Sequence, residues 1–140
     1  MYADNSKKFV AVLNKRFPVP VLMNALGHLA SGLGGIVPSS ETEFLEYPCP
    51  AGDFVSSISR YPFIVLRSDN GNQLRTLAAA AGEQGLPRNV FTETMLGSSA
   101  EDQINATKNA SAEELEYIGV LVFGDAEVLQ PLTKKFSVFK

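Results

Sequence analysis

The chain has 140 residues, of which 45% are hydrophobic and 19% are charged, and its formal net charge is −3 at pH 7. This length predicts a single domain over residues 1–140, and the apolar content excludes a disordered or fibrous chain. The negative net charge argues against a nucleic-acid partner, because phosphate contacts require clustered basic residues.

Cysteine content and hydropathy indicate the cellular compartment in which the protein resides. Cys49 is the sole cysteine, which excludes an intramolecular disulfide and a metal site built from clustered cysteines. The N-terminal stretch MYADNSKKFV lacks the apolar region of a signal peptide, and no apolar run approaches the roughly 20 residues that span a bilayer. The sequence therefore predicts a cytoplasmic protein with no membrane segment, no metal site and no cofactor.

The first half of the chain predicts strands that alternate with a helix. Residues 8–14 (KFVAVLN) are nearly all apolar, which is typical of a strand covered on both faces. Residues 18–33 change to helical spacing and are followed by glycines that end the helix. Residues 44–47 are compatible with a short edge strand, and residues 60–67 (RYPFIVLR) predict a central strand.

The second half continues the alternation. Its predicted elements, in chain order, are a helix that ends at Gly85, a strand at 88–94, a long loop or weak helix at 97–110, a strand at 117–123, a helix capped by Asp125 and a terminal edge strand at 136–139. Strands that alternate with helices place helices on both faces of a mostly parallel or mixed sheet. The fold class is therefore α/β.

The first predicted helix carries the sole histidine, His28. The helix has a leucine stripe on one side, and Asn24 and His28 lie on the opposite side, one turn apart. An imidazole beside a carboxamide, facing away from the core, is suited to bind an anion or to move a proton. The alternative is a solvated histidine without a function.

Two further segments carry candidate ligand-binding groups. Ser59 and Arg60 precede the predicted central strand, and an arginine can hold a carboxylate or phosphate through two hydrogen bonds. The alternative is a polar turn with a surface arginine. Glu93 and Thr94 fall at the end of a predicted strand, and α/β proteins form their sites at such strand ends.

Several stretches together resemble one protein family. They are KFVAVLN, the helix that carries His28, SRYPFIVLR, GLPRNVFTETM and EYIGVLVFGDAEVLQPLTKKFSVFK. Covering nearly the whole chain, they are similar to a bacterial domain-of-unknown-function family that is grouped by fold with the type II peptidyl-tRNA hydrolases. The resemblance implies a three-layer α/β/α sandwich on a mixed sheet of four to five strands. It also suggests a homodimer, because type II hydrolases are commonly dimers.

The hydrolase residues match this chain only in part. With the family histidine aligned on His28, valines occupy positions 19 and 21, where the hydrolases have lysines. Ala25 replaces the family glutamine, and Asn24 is the nearest amide. Glu93 stands at the position of the family aspartate, and Gly97 at that of its threonine. The fold analogy therefore supports the architecture more than the chemistry.

The leading hypothesis is a protein that keeps the hydrolase fold, lacks the usual hydrolase residues and binds a small anionic or amide-containing ligand in one pocket. The predicted lining is Asn24, His28, Ser59 and Arg60, with Glu93 and Thr94 at the edge of the sheet.

Two alternatives remain open at this stage. One is a hydrolase of an ester or amide, such as a peptidyl-tRNA-like substrate, in which His28 and Glu93 move protons and Asn24 orients a water molecule. The other is an interaction module that self-associates through exposed Phe136 and Phe139.

Overall fold

Strands and helices alternate along the chain in this computed structural model, which describes residues 6–97 and 99–140. The strands are β1 (Lys7–Asn14), β2 (Phe44–Cys49), β3 (Phe54–Ser59), β4 (Phe63–Ser68), β5 (Arg88–Thr92), β6 (Tyr117–Asp125) and β7 (Ser137–Val138). The helices are α1 (Val19–Leu33), α2 (Ser39–Thr42), α3 (Gly71–Glu83), α4 (Ala100–Asn109) and α5 (Ala126–Thr133). None of these helices has both the length and the apolar character to cross a bilayer.

A mixed five-stranded sheet forms the centre of the fold, in the order β5-β6-β1-β4-β7. Strand β1 pairs in parallel with β4 and antiparallel with β6. Strands β5 and β7 add antiparallel pairs at the two edges. The apolar runs at 8–14 and 117–123 form β1 and β6, whose residues are buried along most of their length. The central strand predicted at 60–67 is β4, which begins three residues later and lies between β1 and β7. The predicted α/β class with a mixed sheet of up to five strands is confirmed.

Apolar clusters cover both faces of the sheet. On one face the leucines of α1 pack against β1, β5 and β6, with Leu22 and Leu29 almost fully buried. On the other face α3 and α5 pack against the same strands through Leu74, Leu77 and Leu129. The prediction that helices cover both faces of the sheet is therefore confirmed.

Gly119 in the middle of β6 allows α1 to lie close to the sheet. A Cβ atom at this position would lie 2.9 Å from Leu13 Cδ2 and 2.9 Å from Leu29 Cδ1, closer than side-chain carbons normally approach. The missing side chain thus provides the space that Leu29 fills.

Residues 100–109 form helix α4, which settles the alternative between loop and weak helix. Ser99 caps the helix, since its Oγ accepts a hydrogen bond from the backbone N–H of Asp102 at 3.2 Å. Glu101 in the first turn and Lys108 in the last turn complement the helix dipole. These terminal interactions stabilise a helix that buries no residue fully.

The serine-rich segment 54–59 forms strand β3, which the sequence does not predict. It pairs antiparallel with β2 in a separate two-stranded sheet, with Phe44 opposite Ser59 and Cys49 opposite Phe54. Pairing with β2 gives the backbone of β3 its hydrogen bonds, and this outweighs the low strand preference of serine.

The C-terminal phenylalanines belong to the core. Phe136 is 9% exposed, and Phe139 packs against the cluster beneath α1. The backbone N–H of Phe139 donates to the carbonyl of Val65 at 3.0 Å, extending the edge formed by β7. The premise that Phe136 and Phe139 form an exposed surface for self-association is wrong, because the strand pairing of β7 with β4 turns them inward.

Candidate functional site

His28 and Asn24 lie one turn apart on the exposed side of α1, towards the β5 edge of the sheet. The imidazole of His28 stacks on the ring of Phe91 in β5, with the ring centroids 5.9 Å apart and the planes 14° from parallel. Phe91 is itself buried, at 6% exposure. The histidine is exposed to solvent on one side and is held against the buried Phe91 ring on the other.

A cavity of about 480 Å³ opens beside this stacked pair. Helix α1, strand β5, the turn after β5 and helix α4 line it through Asn24, His28, Leu29, Asn89, Val90, Phe91, Met95, Leu96, Gly97 and Gln103. Among the residues that the structure describes, its polar side chains are three carboxamides and one imidazole, with no acid, lysine or arginine.

Asn89 holds two walls of the cavity together. Its Nδ2 donates to the carbonyl of Leu29 at 3.2 Å, and its Oδ1 accepts from the backbone N–H of Val90 at 3.1 Å. A Cβ atom at position 32 would lie 2.7 Å from Asn89 Nδ2, so Gly32 makes room for this contact. The carboxamide thus ties α1 to β5 at the floor of the cavity.

Thr94 lies in a chain of hydroxyl groups behind the cavity wall. The Oγ1 atom of Thr107 donates to the carbonyl of Gln103 at 2.8 Å, so it must accept the hydrogen of Thr94, 2.8 Å away. Thr94 in turn accepts from Thr92 at 2.6 Å. This directed chain connects the end of β5 to α4, and through α4 it positions Gln103, which donates from Nε2 to the carbonyl of Gly97 at 3.2 Å.

Glu93 follows β5 in a short 3-10 turn but does not line the cavity. Its Oε2 accepts the backbone N–H of Glu116 at 2.7 Å, and its own N–H donates to the carbonyl of Glu116 at 3.1 Å. The carboxylate therefore joins the end of β5 to the segment before β6. The structure does not bring Glu93 and His28 into one site.

Ser59 and Arg60 lie on the other flank of α1. Ser59 lines a separate apolar cavity of about 260 Å³ together with Ala30. Residues 28 and 30 project about 200° apart around a helix, at 100° per residue. The expectation that Arg60 and His28 share one pocket is therefore wrong, because β3 carries Arg60 towards β4 whereas His28 stands over β5.

Ser59 has a hydrogen-bond partner within the protein, and Arg60 forms an ion pair although its buried Nε makes no hydrogen bond. Ser59 Oγ donates to the carbonyl of Thr42 at 2.6 Å. Arg60 Nε lies 3.4 Å from Glu43 Oε1, and the other carboxylate oxygen of Glu43 accepts the hydroxyl hydrogen of Tyr61. These contacts fix the junction between α2 and the hairpin of β2 and β3.

Charged groups near the carboxyl end of β1 are likewise paired. Lys15 Nζ lies 2.9 Å from Asp69 Oδ1. The hydrogen bond and the positive charge of Lys15 lower the pKa of the Asp69 carboxyl. Within residues 6–97 and 99–140, no three His, Cys, Asp or Glu side chains are grouped so that they could hold a metal ion.

Sequence reasoning identified the α1 part of this cavity and missed the rest. The missed residues with the largest roles are Asn89, Phe91 and Gln103. Asn89 carried no local signal, because its strand segment RNVFT also contains the polar residues Arg88 and Thr92. Nothing local marks Gln103, because its place depends on how α4 folds back on the turn after β5.

Comparison with known proteins identifies the family. The model of DUF2000, a family of proteins of unknown function, matches residues 7–140, and the chain therefore belongs to this family. Among solved structures, the fold is similar to that of a protein of unknown function from Agrobacterium tumefaciens strain C58, with a TM-score of 0.83 and 17% sequence identity. The similarity covers 98% of this chain and 100% of that protein. No curated protein matches the chain.

Proposed function

We propose that this protein binds a small, neutral, amide-containing molecule in the cavity beside Asn24 and His28. The observation that carries the proposal is the lining itself, with one imidazole and three carboxamides around an aromatic floor. Asn89 and Gln103 each use one N–H on a backbone carbonyl and keep the second N–H for a ligand. A carboxamide both donates and accepts hydrogen bonds, so it is complementary to another amide.

The size and apolar content of the cavity support a small-molecule ligand. Its volume of about 480 Å³ falls within the range of roughly 300–1,000 Å³ found for such sites. Phe91, Met95 and Leu96 provide apolar contact area beside the polar groups. A ligand with a planar apolar part and one amide group would use both kinds of surface.

The absence of charge in the lining favours an amide over an anion. Burying a carboxylate without a cationic partner is costly, and the described residues of this lining include no lysine and no arginine. Arg60, the cation first expected here, is paired with Glu43 on the other flank of α1. An amide requires no such partner.

Binding of benzamide and benzoate tests the proposal directly, because the two molecules have the same shape and differ in charge. We expect benzamide to bind with a Kd of about 1 mM, as is usual for a fragment of this size. We expect His28→Ala to weaken this binding about tenfold, because it removes one hydrogen-bonding group and one stacking surface worth together about 1.4 kcal/mol. Ligand-observed NMR titration measures both constants.

Ser31→Ala is the matched control, since Ser31 is exposed on the same helix and lies outside the cavity lining. This variant should bind benzamide as the wild type does. Tighter binding of benzoate than of benzamide would contradict the amide preference. Equal affinities in the wild type and the His28→Ala variant would contradict the assignment of the site.

The hydrolase alternative has less support. It requires His28 and Glu93 to act on one substrate, and the Glu93 carboxylate holds the N–H of Glu116 outside the cavity lining. The proposal retains the fold of the type II peptidyl-tRNA hydrolases, supported by the order of the elements and the mixed sheet. It also retains a reducing, cytoplasmic and bacterial setting, supported by the free thiol of Cys49 and by the similarity to an Agrobacterium protein.

A further inference from the structure

A second depression, of about 420 Å³, lies beside the cavity that contains His28. Helix α4 and the turn before it supply the lining of this α4 groove, namely Met95, Gln103, Ile104, Thr107 and Lys108. Met95 and Gln103 also line the cavity. The groove therefore adjoins the cavity, and a molecule too long for the cavity would continue into the groove.

Helical spacing sets the order of the side chains along the α4 groove. Residues 103, 104, 107 and 108 repeat at the i, i+4 interval, so they share one flank of α4. Gln103 lies at the end next to the cavity, and Lys108 lies about 8 Å further along the helix axis. A ligand that contacts Gln103 would therefore follow this flank towards the C-terminus of α4.

The middle of the α4 groove is apolar. Met95 is half-buried and packs against the core cluster beneath α1, whereas Ile104 is 64% exposed. The hydroxyl of Thr107 donates to the carbonyl of Gln103 and accepts from Thr94, so its hydrogen-bonding needs are met within the protein. This part of the groove is therefore suited to methylene groups.

Lys108 gives the far end of the α4 groove a positive charge. Its side chain is exposed in the last turn of α4, and within the described part of the chain it has no ion-pair partner. The acids of the same helix, Glu101 and Asp102, lie in the first turn, roughly 9–10 Å away along the axis. A carboxylate at Lys108 would stay in contact with water, so it would not meet the burial cost that disfavours an anion inside the cavity.

We propose that the ligand of this protein is an elongated amide that ends in a carboxylate. Its amide group lies in the cavity, its apolar chain crosses Met95 and Ile104, and its carboxylate lies at Lys108. This inference rests on the proposed function, because it places the amide group in the same cavity. It adds the class of ligand, in which an apolar chain separates the amide and the anion by about 8 Å or more.

Three molecules separate the parts of this proposal, namely benzamide, para-carbamoylphenylbutanoate and the methyl ester of that acid. The ester has the same apolar chain as the acid but no charge. We expect the ester to bind the wild type about tenfold more tightly than benzamide, because its chain buries apolar surface in the groove. We expect the acid to bind about threefold more tightly than the ester at low salt, because an exposed ion pair contributes modestly. Ligand-observed NMR titration measures all three constants.

Two substitutions on the exposed side of α4 should act on the long molecules alone. Ile104→Ala should weaken the binding of the acid and of the ester about threefold each, because it removes part of the apolar wall. Lys108→Gln should weaken the binding of the acid about threefold and leave that of the ester unchanged. Both variants should bind benzamide as the wild type does.

Lys134→Gln is the matched control for the charge. Lys134 is an exposed lysine at the end of α5, which packs on the opposite face of the sheet. The control changes the net charge by the same amount as Lys108→Gln and should bind all three molecules as the wild type does.

The possible results distinguish this proposal from the one on which it rests. If benzamide binds but the acid and the ester bind no more tightly, this inference is overturned and the amide site remains. An acid whose affinity is unchanged in Lys108→Gln, or is lowered equally in Lys134→Gln, would overturn the placement of the carboxylate. If none of the three molecules binds, the amide site itself is wrong, and this inference fails with it.

Discussion

Replacement of Leu29 by alanine should lower the free energy of unfolding by about 2–5 kcal/mol. Leu29 is 1% exposed and packs in the cluster between α1 and the sheet. It fills the space that Gly119 leaves open, since a Cβ atom at position 119 would lie 2.9 Å from Leu29 Cδ1. The loss of stability should therefore have two parts. One is the transfer free energy of the removed carbons, and the other is the cost of a cavity that the surrounding core fills only in part.

Urea denaturation of the wild type and the Leu29→Ala variant measures this difference. Met23→Ala provides the matched control, because Met23 lies on the same helix, is comparable in size and is 68% exposed. The control should change the free energy of unfolding by less than about 0.5 kcal/mol. If the two variants lose the same stability, the placement of the leucine stripe against the sheet is wrong.

Asn14→Ala should lower the free energy of unfolding by about 2–3 kcal/mol, although it removes a polar group. Asn14 is fully buried at the end of β1. Its Nδ2 donates to the carbonyl of Tyr117 at 3.0 Å and to Glu116 Oε1 at 3.2 Å, and its Oδ1 accepts the N–H of Arg16 at 3.0 Å. Alanine would leave these groups without their partner where β1 meets the start of β6.

Thermal unfolding is a convenient measurement for this variant, with an expected decrease of about 6–12 °C in Tm. Asn105→Ala is the control, since Asn105 is exposed on α4. The control should unfold within about 2 °C of the wild type. An Asn14→Ala protein as stable as the control would show that this hydrogen-bond network contributes little to the fold.

Much of the architecture was predictable because it depends on local patterns. The apolar runs of β1 and β6 could be stable only between two layers, and the leucine stripe of α1 could only face the sheet. The prolines at the start of α1 and the glycines after it marked its bounds. The α/β class with a mixed sheet followed from these elements.

The hairpin was not predictable in the same way, because its stability comes from pairing with another segment. Strand β3 contains three serines among six residues, which locally favours a turn. Only the presence of β2 alongside supplies the hydrogen bonds that make it a strand.

The candidate site likewise has features that one element determines and features that depend on how distant elements pack. The helical spacing of Asn24 and His28 could be derived from the sequence, because it depends on one element. The separation of Arg60 from His28 could not be derived, because it depends on where the hairpin places Arg60 relative to both flanks of α1. The aromatic platform under His28 likewise requires β5 at the edge of the sheet, beside β6.

Amide-proton chemical-shift mapping shows whether small amides bind in the cavity beside His28. Addition of benzamide to the isotope-labelled chain should shift the signals of the residues in the lining, namely Asn24, His28, Asn89, Phe91, Met95 and Gln103. Signals near the separate cavity at Ala30, Ser59 and Phe63 should stay unchanged. Shifts confined to that second cavity, or no shift in the first at saturating benzamide, would show that the cavity beside His28 does not bind amides.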